Sequence, residues 1–233
     1  MTTPSAEPGG FAELPLLLWL SPAFPIGAFA YSHGLEWAVE AGDIHDAASL
    51  GAWLRDLAVF GAPRNDAILF ACAFRAARDA DWQALAEVND LAVALAGSAE
   101  RRLESSGQGA AFLAAMRSAW DCAGLARLPA REGDPVAYCC AVALAAAGHG
   151  LDLGASCEAF VASLFANLIS AAVRLGAIGQ TDGQRAMAAL LPELRALARM
   201  ANGASLGDLG GCAFRSDIAA MKHETQYSRL FRS

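Results

Sequence analysis

Four histidines, His33, His45, His149 and His223, together with six cysteines and 24 acidic residues, are the groups of this chain that could ligate a metal or move a proton. Their spacing closes no familiar site. No HExxH occurs, because His223-Glu224 is followed by Thr225, Gln226 and Tyr227. His33 and Glu36 stand three apart and are expected to share one helix face, yet two side chains do not complete a tetrahedral site. Such a pair suits a transient nickel contact better than a resident zinc ion. Cys72, Cys122, Cys139, Cys140, Cys157 and Cys212 form no CxxC pair. They lie mostly in alanine-rich apolar runs, where a thiol packs as a small core residue. Gly154-Ala155-Ser156-Cys157-Glu158 lacks the last glycine of the nucleophile elbow. The lone lysine, Lys222, precedes His223, so there is no P-loop, and no GxGxxG follows a strand. An enzyme built on metal chemistry would have to use His33, His149 and His223, which share no spacing. A buried pocket on which histidines and carboxylates converge would favour that rival.

Two stretches stand out against this background. The first is SPAFPIGAFAYSHGLEWAVEAG, residues 21–42, a double-proline turn running through Gly27 into an expected amphipathic helix. Glu36, Glu40, Asp43 and Asp46 in and after it read as an acidic patch with no neighbouring base, either a solvated face or a docking face for a basic partner. The second is the C-terminal MKHETQYSRLFRS, which gathers Lys222, His223, Arg229 and Arg232 at the end of an acidic protein.

The elements that must position these residues read as helix after helix. Leu50, Trp53, Leu54, Leu57 and Phe60 recur at helical spacing, as do Leu85, Val88, Leu91 and Leu95, and Leu190, Leu191, Leu194, Leu197 and Met200. Threonine occurs only four times and no period-2 alternation is sustained, so a sheet has little to build from. Gly42-Asp43 ends one helix and Ala62-Pro63 starts another. Asp134-Pro135 is a start signal, Gly148-His149-Gly150 a stop, and Pro192 is expected to kink or restart its helix. Residues 158–180, apolar on nearly every face and lined with small residues, predict a helix surrounded by others, with Arg174 finding a carboxylate or carbonyl at its far end. The expectation is an all-α, single-domain compact bundle of roughly eight to ten helices. A flexible arm spans residues 1–10, the helical body 11–212, and the tail 213–233.

Composition excludes further classes. The chain is 55% hydrophobic and 18% charged, so it is not disordered. Its net charge of −7 argues against nucleic acid, which needs a basic face. Residues 14–35 carry no Asp, Glu, Lys or Arg, but Pro15, Pro22 and Pro25 break any membrane span. No lysine or arginine precedes Arg55, so the basic n-region of a signal peptide is lacking. A cytoplasmic location and no membrane partner are expected.

Three segments together carry a family likeness: SPAFPIGAFAYSHGLE near the N-terminus, SAAVRLGAIGQTDGQ at residues 170–184, and DIAAMKHETQYSRLFRS at residues 217–233. In order and spacing the chain resembles the UreF family of urease accessory proteins over nearly its whole length. One departure is His33, where glutamine is the commoner residue. The resemblance implies an all-α, typically dimeric protein without enzymatic activity and without a permanently bound cofactor. It would join the accessory protein UreD (UreH in some organisms), recruit the GTPase UreG, and dock on apo-urease so that nickel reaches the enzyme with GTP hydrolysis. On this likeness His223, Glu224, Tyr227, Arg229, Leu230, Phe231 and Arg232 are expected to bind the UreD/UreH-type partner. The tail would either stay loose until that partner orders it, with Leu230 and Phe231 as anchors, or fold back on its own helices. Tyr31, Ser32, Gly34, Glu36, Arg174 and Gln180 are expected to shape the GTPase-recruiting surface. Nickel in transit would touch His33 and His223. Regulation of the GTPase by an arginine is an alternative, for which Arg64, Arg101 and Arg215 are available.

Overall fold

A computed structural model of the chain describes residues 13–122, 124–129, 131 and 133–232. The expected arm at residues 1–10 lies outside them. Ten α-helices are described: α1 (Leu14–Trp19), α2 (Leu35–Glu40), α3 (Ala47–Phe60), α4 (Ala62–Arg78), α5 (Trp82–Ala94), α6 (Ala99–Ala119), α7 (Tyr138–Gly148), α8 (Leu153–Arg174), α9 (Gln180–Gly203) and α10 (Phe214–His223). There is no β-strand among the described residues, so the all-α expectation holds.

Local chemistry explains most of the starts. Asp46 opens α3 in a reciprocal capping box with Ser49, and Asp81, Ser98 and Asp152 cap α5, α6 and α8. Each side-chain oxygen takes up a backbone N–H that the first turn would otherwise leave unpaired. Pro63 lies at the start of α4, where its missing N–H costs nothing.

Two expected boundaries need correction. The helix after Asp134-Pro135 begins only at Tyr138. Asn89 of α5 does the capping there, accepting from the Ala137 N–H (2.9 Å) and donating to the Pro135 carbonyl (3.0 Å). Pro192 does not interrupt α9, which runs through it to Gly203. Pro192 and Ala188, the residue one turn back whose carbonyl loses its donor, are both exposed, so water can satisfy that carbonyl.

At the centre lies α7, whose residues from Tyr138 to Ala146 are all buried. It packs chiefly on α4 and α6, while α8 pairs with α9. Phe70, Phe112 and Phe160 are fully buried around this centre. Among the described residues α8 is the single helix long and apolar enough to cross a bilayer, and half of its most apolar window is buried against neighbours. Its Arg174 donates to the Phe29 carbonyl, the kind of partner expected for it. Around this body wrap the two stretches singled out in the sequence. α10 packs against α2 and α6, and the chain beyond it returns across α2.

Candidate functional site

The turn before α2 sets the geometry. His33 and Gly34 both take left-handed backbone angles, φ +57° and +75°. Glycine adopts this freely and histidine at some cost. Because His33 precedes the helix, it does not share a face with Glu36 as expected. Its side chain swings to α6, while Glu36 points under α10. A Cβ on Gly34 would lie 2.5 Å from the Ala220 backbone nitrogen. Only glycine lets α2 and α10 approach this closely.

Two buried polar clusters then form side by side on α6. In the first, His33 Nε2 lies 2.8 Å from Glu104 Oε1. Arg101 donates to Glu104 Oε2 at 2.5 Å and faces Asp66 at 3.5 Å, and Gln108 donates to Glu104 Oε1 at 3.0 Å. Burial alone would push the Glu104 carboxyl up. The positive charge of Arg101, reinforced by His33 and by the hydrogen bonds of both, outweighs it and brings the group to about 2. Asp66 shows the opposite balance: its desolvation exceeds the pull of Arg101 and its carboxyl is raised.

In the second cluster His223 is fully buried between two carboxylates. Its Nδ1 lies 2.7 Å from Glu100 Oε2 and its Nε2 lies 3.0 Å from Glu36 Oε2. Glu36 also accepts the Leu230 N–H (2.6 Å) and the Phe231 N–H (2.9 Å), and Glu100 accepts from Arg229 Nη1 (2.8 Å). Around it, Glu224 accepts the Ala99 N–H at the start of α6, Gln226 donates to Glu40, and the Arg232 N–H donates to the Ala30 carbonyl. The Phe231 ring is buried, with the Arg174 guanidinium 4.4 Å above it.

These contacts revise several expectations. The tail is not loose in this structure; it folds back on its own helices, the alternative left open above. Phe231 and His223 are inside the protein and cannot serve as free anchors, whereas Tyr227 and Leu230 are exposed. Tyr31, Ser32, Gly34 and Glu36 are all buried, so they do not form an open recruiting surface; Arg174 and Gln180 do face solvent. Of the expected acidic patch, Glu36 is taken up by the tail and Asp43 pairs with Arg215 at 2.6 Å, whereas Glu40 and Asp46 stay exposed. The ring nitrogens of His223 are both engaged, and Nε2 of His33 lies against Glu104, so neither ring is presented to a passing ion. Of the arginines considered for GTPase regulation, Arg64 donates to the Asp208 and Gly210 carbonyls, Arg101 is held by Glu104, and Arg215 is held by Asp43.

Histidines and carboxylates do converge, in two buried clusters, His33 with Glu104 and His223 with Glu36 and Glu100. His149 stays apart, packed on Trp19 and Trp120. Among the described residues no group of three or more His, Cys, Asp or Glu side chains is arranged to hold a metal. A cavity of about 160 Å³ reaches His33 and Glu104, lined mainly by apolar residues such as Phe24, Ile26 and Leu164. Glu104 is already engaged by Arg101, His33 and Gln108 there.

Sequence reasoning missed Glu100 and Glu104. The signal was present in α6. Its buried face carries Phe112, Leu113 and Met116 toward the end. Stepped back by four from Phe112, the same face holds Gln108, Glu104 and Glu100. Polar residues that continue a core stripe announce a buried network.

Comparison with known proteins adds an independent line. The sequence profile of the UreF family matches residues 44–191. The chain is 57% identical to the urease accessory protein UreF of Xanthobacter autotrophicus over 220 residues, covering 94% of this chain and 90% of that protein. It is 54% identical to the UreF of Methylobacterium radiotolerans over 230 residues, 99% of this chain and 100% of that protein. It is 50% identical to the UreF of Rhodopseudomonas palustris strain HaA2 over 229 residues, 98% of this chain and 96% of that protein.

Proposed function

The chain belongs to the UreF family of urease accessory proteins, and from that premise we propose that it is a cytoplasmic scaffold, without catalysis of its own, that joins a UreD/UreH-type partner through α10 and the tail. The observation that carries this reading is the outer face of α10. Phe214, Ile218 and Met221, at i, i+4 and i+7, are 71%, 53% and 52% exposed. Beyond them Tyr227 and Leu230 are exposed too. Contiguous exposed apolar surface rimmed by polar groups marks an interaction site. Lys222 and Arg232 of this segment are exposed, Arg215 and Arg229 are paired with Asp43 and Glu100, and Asp217 and Glu224 lie among them. The complementary partner surface is an apolar groove.

In this reading the expected partner-binding residues divide by role. Tyr227, Leu230 and Arg232 meet the partner. His223, Glu224, Arg229 and Phe231 hold the tail in the shape the partner receives. The GTPase UreG is recruited near Arg174 and Gln180, the two exposed members of the expected set. Nickel is cargo of the assembled complex on its way to apo-urease, and the scaffold works as a homodimer.

A pull-down from cells expressing the urease accessory set tests the reading. Full-length chain is expected to bring down the UreD/UreH-type protein. The Ile218→Arg/Met221→Arg variant, changed only on the exposed face, is expected to lose it while keeping its helical circular dichroism. Undiminished capture by that variant would remove α10 from the interface.

A further inference from the structure

The cavity of about 160 Å³ lies between the loop that follows α1, α6, the first residue of α7 and α8. Phe29, Ala166 and Ser170 at its outer end are exposed. At its inner end Tyr138 and Gln108 are only 6% and 5% exposed. These two inner side chains keep hydrogen-bonding capacity to spare. The Tyr138 backbone N–H donates to Ser105, but the hydroxyl has no hydrogen-bond partner among the described residues. Desolvation alone raises that hydroxyl above the usual phenol range, so it keeps its proton at neutral pH and can donate as well as accept. Gln108 donates through Nε2 to Glu104, which leaves its carbonyl oxygen Oε1 to accept.

The other polar groups on the wall are committed. Ser21, Ser163 and Asn167 donate to the carbonyls of Leu18, Phe160 and Tyr31. Glu104 borders the cavity too, but Arg101, His33 and Gln108 hold its oxygens, so neither a cation nor an anion meets an unbalanced charge. Buried polar groups are rarely left unmatched. A single hydroxyl can accept from Tyr138 and donate to Gln108. Size sets the rest, since a cavity of about 150 Å³ takes one benzene ring. We propose that the cavity binds a small neutral molecule of the phenol type, its one ring among Phe24, Ile26 and Leu164 and its hydroxyl between Tyr138 and Gln108. Water, about five molecules by volume, would match the two polar groups but leave the apolar walls wet. Phe29 stands at the mouth and its carbonyl holds the exposed Arg174, so an occupant bears on the segment that positions that guanidinium. Among the described residues none of α10 lines the cavity, and the outcome is separate from that of the docking reading.

Titration of the isolated full chain with phenol, followed by nuclear magnetic resonance of the ¹⁵N-labelled protein, tests the site. Saturable shifts are expected at the Phe24, Ile26 and Leu164 amides, with a Kd of about 1 mM or tighter. Benzoate, a similar ring carrying a charge, should leave those amides unmoved. Tyr138→Phe should weaken phenol about tenfold, the loss of one hydrogen bond, while toluene, which has no hydroxyl, binds both proteins alike. No saturation by about 10 mM phenol, benzoate bound as tightly as phenol, or full phenol affinity in Tyr138→Phe would overturn the assignment. The comparison of phenol with benzoate in the wild-type chain decides the matter even if the variant fails to fold.

Discussion

At the scale of single residues, the two carboxyl groups that face Arg101, Glu104 and Asp66, are shifted in opposite directions. Glu104 has its folded value near 2, below the ordinary 4.5. A depressed carboxyl contributes stability that is present above the unfolded value and is lost as pH falls through the folded one. Urea melts taken between pH 5 and pH 2 should therefore show stability falling, with Glu104 supplying on the order of a few kcal/mol of the slope. The raised carboxyl of Asp66 works in the other direction over its own interval and blunts the fall. Glu104→Gln should be less stable at neutral pH and show a flatter profile; an unchanged profile would remove Glu104 as its source. His223→Ala leaves two buried carboxylates facing an empty space. Breaking a buried pair by removing one partner costs about 3–5 kcal/mol, a loss that denaturant titration would measure directly.

At the scale of elements, the meeting of α2 and α10 decides where the tail lies. Gly34→Ala adds a methyl 2.5 Å from backbone and places a Cβ at φ +75°. Neither neighbour is a flexible side-chain end, so α10 must move. Increased hydrogen exchange confined to α10 and residues 224–232 is the expected outcome, and exchange identical to wild type would count against the close approach. Removal of residues 224–233 should leave helicity intact, since no α-helix lies within the described residues 224–232. The thermal midpoint should nonetheless drop, because Phe231 belongs to the core; large-to-small changes at buried aromatics cost about 3–5 kcal/mol. This element was the least legible from sequence. Periodicity gave α3, α5 and the second half of α9 because their stripes are apolar, while the stripe of α6 turns polar at Gln108, Glu104 and Glu100; Asp46, Asp81, Ser98 and Asp152 mark helix starts by local chemistry. The start of α7 was misplaced because its cap comes from Asn89, about fifty residues upstream, which no local pattern reveals. The tail was ambiguous for the same reason: its partners, Glu36 and Glu100, are distant in sequence, and charged residues near a terminus look solvated until a second carboxylate is placed beside them.

At the scale of the whole molecule, buried and exposed apolar surface divide the work. The centre around α7 is closely packed, with Tyr138 to Ala146 all buried. The α10 ridge is open and apolar, with Phe214, Ile218 and Met221 exposed. Family membership was legible from three motifs, but the candidate site within them was not. Those motifs mark residues that bind one another: YSHGLE is buried beneath α10, and the tail that was expected to reach outward is seated on Glu36. The face of α10 proposed to meet the partner is its other side, which periodicity alone cannot distinguish from the packed side.

The most direct measurement of the central claim is the affinity of the purified chain for its UreD/UreH-type partner, compared with that of Ile218→Arg. Burying an arginine in place of an apolar contact at the middle of an interface should cost at least about 2 kcal/mol, or roughly thirtyfold in Kd. Weakening of that size, with an unchanged melting temperature, is the result expected if this chain works by offering α10. Equal affinities for the two proteins would contradict it.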